Sequence, residues 1–133
     1  MIKLFIGGKG SGKTKTLIEM VNNAVASSNG NVVCIEKGDK LIHDITYKAR
    51  LIDTDYYSVC DAEALYGFIA GILASNSDIT DIFVDSALKI CANDVAGFEA
   101  MLKKLEVITK EVNLVMTASI AVEECPDAIK AYA

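Results

Sequence analysis

The sequence predicts an α/β fold in which helices cover both faces of a mostly parallel sheet, as in a three-layer α/β/α sandwich. Apolar, strand-like runs alternate along the chain with segments whose apolar residues recur at helical spacing. Such alternation is typical of βαβ units with right-handed crossovers. The chain is 52% hydrophobic with few aromatic residues, which suits an aliphatic sheet buried on both faces. Its 133 residues predict one domain, 1–133.

The first half of the chain alternates buried strands with amphipathic helices. In order, the predicted elements are strand 2–7, helix 14–28, strand 31–37, strand 50–55 and a helix that runs through Leu65 and Leu73. The first helix is expected to end in an Asn-Gly pair, with Gly30 able to take a left-handed conformation. Ser58 or Asp61 is the expected N-cap of the second helix. Within that helix, Gly67 and Gly71 are expected to permit close packing on the sheet.

The second half continues the same alternation. Its predicted elements are a strand over 79–85, a long helix from Val95 through Ile108 capped near Asn93 or Asp94, a strand over 112–119 and a short helix beginning at Pro126. The pattern of the segment 38–48 is ambiguous, and the polar segment 75–78 is predicted to be a loop. Nothing in the sequence indicates a repeat or a domain linker.

The segment GGKGSGKT, residues 7–14, places a glycine-rich loop between the first strand and the first helix. It fits the pattern G-x-x-x-x-G-K-[ST] in the strand-to-helix context that this pattern requires. Glycine permits the tight curvature by which several backbone N–H groups converge on an anion, and the helix adds its positive N-terminal end. We therefore predict a phosphate-binding loop formed by Gly7, Gly8, Lys9, Gly10, Ser11, Gly12, Lys13, Thr14 and Lys15.

Asp85 closes a strand-like apolar run and is the predicted second half of a nucleotide site. The carboxyl ends of parallel strands share one edge of a sheet, so Asp85 should lie near Thr14. We expect the Thr14 hydroxyl to bind Mg²⁺ and the Asp85 carboxylate to order a water on that ion. The alternative is that Asp85 only caps the following helix.

With these two motifs, the chain resembles the P-loop NTPase superfamily over its whole length, and most closely the RecA-like branch. It is also similar to small bacterial proteins labelled as twitching-motility ATPases. The resemblance implies that ATP or ADP binds with Mg²⁺, and that the strand at 113–118 lies between the P-loop strand and the Asp85 strand. It further implies a polar sensor residue at the end of that strand, which here is Thr117 or Ser119.

The general base of hydrolysis is the least defined part of this resemblance. Many members carry a glutamate directly after the magnesium-site aspartate, where this chain has Ser86. Other members carry it at the end of the second strand, where this chain has Glu36, so Glu36 is the predicted catalytic residue. A base must reach the attacking water directly or through one other water. The alternative is that Glu36 pairs with neighbouring lysines on the surface.

The function that the resemblance implies is slow, Mg²⁺-dependent ATP hydrolysis by a switch or an assembly component. No arginine finger is evident, so a protein partner or a second copy of the chain is expected to supply one. Two alternatives remain open: a nucleotide- or phosphate-binding module without turnover, and a small nucleoside or nucleotide kinase. Kinases usually clamp the migrating phosphate with several arginines, and this chain has only Arg50. The guanine-reading motif N-K-x-D is absent.

Composition excludes several other classes of function. A net charge of −5 argues against broad nucleic-acid binding, because that binding depends on neutralising phosphates. The basic residues between the second and third strands alternate with acids and are predicted to form a solvated face; they are Lys37, Lys40, Lys48 and Arg50. The longest apolar stretch, 64–74, is far too short for membrane insertion. The N-terminus does not resemble a signal peptide, so a cytoplasmic location is expected.

Cysteine and histidine give no sign of a metal centre. The four cysteines are about thirty residues apart and form no C-x-x-C pair, so neither a zinc site nor a disulfide framework is predicted. The single histidine, His43, is expected to be a solvated loop residue.

Overall fold

All 133 residues are described by the computed structural model, which contains one sheet and five α-helices. The strands are β1 (Ile2–Gly7), β2 (Asn31–Glu36), β3 (Arg50–Asp53), β4 (Ile79–Val84) and β5 (Asn113–Ser119). The helices are α1 (Lys13–Ser27), α2 (Ala62–Ser75), α3 (Ala87–Ile90), α4 (Val95–Ile108) and α5 (Asp127–Lys130), with a short 3₁₀ turn at Val122–Glu124. All five predicted strands are confirmed within two residues at each end. The short helix α3 was not predicted.

The sheet is entirely parallel, with the strand order β1-β5-β4-β2-β3. The prediction that the fifth strand lies between the first and the fourth is therefore confirmed. In the register of the sheet, Gly7 pairs with Ser119, and Val84 pairs with both Met116 and Ile35. Consequently the glycine-rich loop after β1, the residues after β4 and the end of β2 all emerge at one edge of the sheet.

Alternate residues of the central strands enter two separate hydrophobic clusters, one on each face of the sheet. Helix α1 and the loop after β2 cover one face, where Leu17, Val21 and Leu41 are buried. Helices α2, α3, α4 and α5 supply the other face. The arrangement is compatible with three layers. Each fully buried aliphatic side chain contributes about 1.5–3 kcal/mol to folding, which fixes α1 and the loop after β2 against the same face.

Aspartates cap the starts of helices α2 and α4. The Asp61 side chain accepts a hydrogen bond from Ala64 N at 2.7 Å, so Asp61 rather than Ser58 is the N-cap of α2. Asp94 accepts from Gly97 N at 3.0 Å and caps α4. Each side chain satisfies one of the backbone N–H groups that a helix start leaves without a partner.

Three glycine predictions are wrong. Helix α1 ends before Ser28, whose backbone is extended, and Gly30 does not adopt a positive φ. Gly30 is instead packed so tightly that a Cβ atom would lie 2.3 Å from the Asp78 carbonyl oxygen. Around Gly67 and Gly71 a Cβ atom would meet nothing within 4 Å. These two residues lie on the exposed side of α2, because the face of α2 that packs on the sheet is formed by its larger apolar side chains.

The reactive side chains that sequence analysis set aside lie apart from one another. His43 is exposed in the loop after β2, as predicted. All four cysteines are free thiols; Cys60 is exposed and the others are buried. Burial raises the pKa of Cys34 and of Cys91 to about 12, so both remain protonated at neutral pH.

None of the helices combines the length and the apolar character that a membrane crossing requires.

Candidate functional site

The loop between β1 and α1 leaves a row of backbone donors without partners. Gly10 and Gly12 both have φ of 84°, a left-handed conformation that strains any other residue. Gly12 is the N-cap of α1 and has no side chain to cap the helix. The backbone N–H groups of residues 8–10 and 12–15 donate to no acceptor in the protein. A glycine-rich turn at a helix start with this many free donors is suited to an anion.

The charges at the start of α1 also indicate an anion. The first turn contains Lys13 and Lys15 and no acidic residue. Cations at the positive end of a helix dipole destabilise the helix, whereas an anion there stabilises it. The Lys13 ammonium donates to the Gly8 carbonyl oxygen at 2.9 Å and to Ser11 Oγ at 3.1 Å, which holds it across the loop. The charges of this helix start are therefore unfavourable for the helix by itself and suited to an anion.

Thr14 and Asp85 are in direct contact, although 71 positions separate them in the sequence. The Thr14 hydroxyl donates to Asp85 Oδ1 at 3.1 Å, with Oδ2 at 3.3 Å. Asp85 directly follows β4, and its N–H donates to the Ile35 carbonyl oxygen at 2.9 Å, which continues the pairing of β4 with β2. The prediction that these two side chains lie at the same edge of the sheet is confirmed.

Thr117 completes this contact from the neighbouring strand. Its hydroxyl donates to Asp85 Oδ1 at 2.8 Å and accepts from Ser86 N at 2.7 Å. Thr117 is almost fully buried, whereas Ser119, at the end of the same strand, is exposed at the mouth of the site. Of the two predicted sensor residues, only Thr117 touches the Thr14–Asp85 pair.

The donor set here fits a small divalent cation. A hydroxyl oxygen and a carboxylate are ligands that Mg²⁺ prefers, and the Thr14 oxygen keeps its lone pairs while its proton is donated to Asp85. No group of three or more His, Cys, Asp or Glu side chains is placed to hold a metal ion. A Mg²⁺ ion in this position would therefore need phosphate oxygens and water as further ligands, which is its usual mode beside nucleotides.

Above these residues lies a cleft of about 580 Å³ that has no hydrophobic side chain among its thirteen lining residues. Five of the thirteen are lysines, namely Lys9, Lys13, Lys15, Lys40 and Lys89. The chain has only thirteen lysines and arginines in all, and its net charge is −5. The cleft is thus a local concentration of positive charge on an acidic protein.

Sequence analysis missed part of this lining. Lys89 and Asn93, which follow the Asp85 strand, were not predicted to belong to the site. Lys40 was assigned to a solvated face, yet it lines the cleft. For Lys89, its position four residues after Asp85 was a sequence signal that could have indicated a place in the site. No comparable local signal existed for Lys40.

Glu36 is not among the residues that line the cleft and is only 3% exposed. Its two carboxylate oxygens accept hydrogen bonds from the backbone N–H groups of Lys40 and Leu41, each at 3.1 Å. Burial raises the pKa of Glu36, and the nearby charges of Asp85 and Asp53 raise it further, against the opposite effect of the two N–H donors. The alternative of a surface ion pair with lysine is therefore wrong for Glu36. Its role as a general base stays a prediction.

Comparison with known proteins gives no match from which a function could be inferred, so the function is inferred from the geometry of this site. No protein-family model matches the chain, and no curated protein matches it.

Proposed function

We propose that the chain binds Mg-ATP or Mg-ADP at residues 7–15 and hydrolyses ATP slowly, as a P-loop NTPase of the RecA-like type. The observation that carries this proposal is the row of unpartnered N–H groups in the loop beside the Thr14–Asp85 pair. Free donors at a helix start suit phosphate, and the oxygen pair suits the magnesium ion that accompanies it. The strand order, with β5 between the P-loop strand and the Asp85 strand, supports the RecA-like type.

In this proposal each residue of the loop has a physical role. The free N–H groups of residues 8–10, 12 and 13 hold the β-phosphate, and the Lys13 ammonium spans the β- and γ-phosphates. Thr14 binds Mg²⁺ through its hydroxyl, and Asp85 orders a water on that ion. Thr117 fixes the Asp85 carboxylate through the hydrogen bond to Oδ1. When bound, Mg²⁺ neutralises charge on the phosphate oxygens.

The proposed hydrolysis is slow because the cleft offers no well-placed base. None of the thirteen lining residues is a carboxylate, and both oxygens of Glu36 are engaged by backbone donors. These observations favour a switch or an assembly component, in which a protein partner or a second copy of the chain completes the site. They also favour, as a second candidate, a nucleotide-binding module without turnover.

The kinase alternative receives less support. Arg50, the single arginine, is the first residue of β3. It therefore lies at the amino edge of the parallel sheet, whereas the cleft is at the carboxyl edge. A clamp on a migrating phosphate would need cations at the cleft, and lysines are the only ones there.

Calorimetry with Mg-ATP and Mg-ADP tests the binding step. Wild-type protein is expected to bind both nucleotides, and Lys13→Ala is expected to lose most of that affinity. Lys48→Ala is the matched control, because Lys48 is exposed and does not line the cleft. Equal affinity in wild type and Lys13→Ala would refute the proposal. Phosphate release, measured with and without candidate acceptors, then separates an ATPase from a binding module and from a kinase.

A further inference from the structure

The lysines of the cleft come from three segments that meet only in the folded chain. Lys9, Lys13 and Lys15 belong to the phosphate loop and the start of α1, whereas Lys40 follows β2 and Lys89 lies in α3. None of the lining residues is acidic, and one carboxylate, that of Asp85, lies in contact with the lining residues Thr14 and Thr117. Gathering like charges in one cleft is unfavourable unless an anion of several charges shares the space. A single phosphate group carries about two negative charges, which is fewer than the five lysines of the cleft.

Lys40 is held at the cleft by its backbone rather than by its side chain. Its N–H donates to Glu36 Oε1, and the next N–H, of Leu41, donates to Oε2. The Leu41 side chain is buried against the face of the sheet that α1 covers. The start of this segment is fixed as well, since Gly38 N donates to Asp53 Oδ1 at 2.8 Å. The Lys40 backbone is therefore anchored on both sides while its side chain remains exposed.

Lys89 is placed in a similar way by the short helix α3. Its neighbours Leu88 and Ile90 are 4% and 1% exposed, and both belong to the core of the other face. Only the Lys89 side chain of this group reaches solvent. Two anchored backbones, on opposite faces of the sheet, thus present free ammonium groups to one cleft.

We propose that Lys40 and Lys89 bind the terminal phosphate of a triphosphate chain, so that the site prefers triphosphates to diphosphates, and that Glu36 is the positioning residue for Lys40. This inference rests on the proposed nucleotide binding. It adds that the terminal phosphate is the part of the ligand that Lys40 and Lys89 recognise. The loop N–H groups serve the inner phosphates. Lys40 and Lys89 are the only cations of the cleft that lie outside the loop and the first turn of α1.

The decisive experiment measures a ratio of affinities. Calorimetry at constant ionic strength compares Mg-ATP, Mg-ADP and magnesium tripolyphosphate in wild type, Lys40→Met and Lys89→Met. Each substitution is expected to lower the ratio of ATP to ADP affinity about tenfold, the lower end for a lost charge-assisted hydrogen bond at an exposed site. Tripolyphosphate should follow ATP. Lys40→Arg should retain the preference, and the control Lys48→Met should leave all affinities unchanged.

The outcomes separate this inference from the function on which it rests. If wild type binds ATP and ADP, and Lys13→Ala abolishes binding, but neither Lys40→Met nor Lys89→Met lowers the ATP-to-ADP ratio, the inference is overturned and the proposed function stands. If wild type binds neither nucleotide, both fail.

Glu36→Gln distinguishes a positioning role from a catalytic one. Glutamine keeps one side-chain oxygen and replaces the other by an NH₂ donor, so one of the two backbone N–H groups would lose its acceptor. If Glu36 positions Lys40, this variant should lower the ATP-to-ADP ratio, and combining it with Lys40→Met should lower the ratio no further. If Glu36 is the general base, turnover should fall while the ratio is unchanged, and that result overturns the positioning role.

Discussion

Two buried threonines offer a direct test of how polar groups are satisfied at and near the site. Thr117 is 1% exposed and Thr54 is 0% exposed, so substitution by valine changes each in the same way, from a hydroxyl to a methyl group. The Thr117 hydroxyl has two partners, Asp85 and the N–H of Ser86. The Thr54 hydroxyl has none. The two substitutions should therefore change the free energy of unfolding in opposite directions.

The magnitudes follow from these partners. Thr117→Val removes a hydrogen bond to a carboxylate, worth about 1.5–3 kcal/mol, and leaves the Ser86 N–H without an acceptor at a cost of about 1–3 kcal/mol. The new methyl group recovers about 0.8 kcal/mol, so a net loss of about 2–5 kcal/mol is expected. Thr54→Val removes an unpaired buried hydroxyl and should stabilise the protein by about 1–2 kcal/mol.

Urea unfolding of the two variants measures both changes. The midpoint of Thr117→Val should fall and that of Thr54→Val should rise, with the slope of the transition unchanged in each. In thermal unfolding, each kcal/mol corresponds to about 4 °C for a chain of this size. Equal destabilisation by both variants would refute the reasoning, because it would show that burial rather than hydrogen bonding sets the outcome. Thr117→Val should in addition weaken Mg-nucleotide binding by releasing Asp85.

Four further predictions concern the backbone, the helix dipole, pH and the nucleotide base. Gly67→Ala should raise the free energy of unfolding by about 1 kcal/mol, because alanine favours the helix and a Cβ atom meets nothing there. Gly30→Ala should lower it by about 1–3 kcal/mol, because its Cβ atom would clash with a carbonyl group. Urea unfolding measures both changes. Lys15→Glu should stabilise the nucleotide-free protein by about 0.3–1 kcal/mol and weaken ATP binding, which thermal shift with and without ATP would show. The pKa of Glu36 is raised in the folded state, so the free energy of unfolding should fall as the pH rises from the ordinary pKa of glutamate through the raised pKa of Glu36. Urea unfolding over a range of pH should show that Glu36→Gln removes this fall. ATP, GTP and CTP should bind with similar affinity in competition assays, because the cleft has no apolar side chain to hold a base.

The sheet and the glycine-rich loop between β1 and α1 could be predicted because their signals are local. Each strand is a short apolar run between polar breaks, and the loop from Gly7 to Thr14 is one contiguous motif. The location of Asp85 could be predicted for a related reason, because the carboxyl ends of parallel strands lie at one edge of the sheet. The glycine predictions failed because their evidence is tertiary. Gly30 is required by a carbonyl group from a loop far along the chain, and no pattern around residue 30 records that contact.

The cations outside the loop show the limit of reading charge along a sequence. Lys40 lies beside Asp39 and near Asp44, so the local charge balance predicts a solvated face. What brings Lys40 to the cleft is the pair of backbone hydrogen bonds to Glu36, together with the pairing of β2 with β4. A glutamate at the end of a buried strand looks the same in sequence whether it activates water or anchors a loop. In this fold both of its oxygens accept hydrogen bonds from backbone N–H groups, one of which belongs to Lys40, and the Glu36→Gln measurement decides between the two roles.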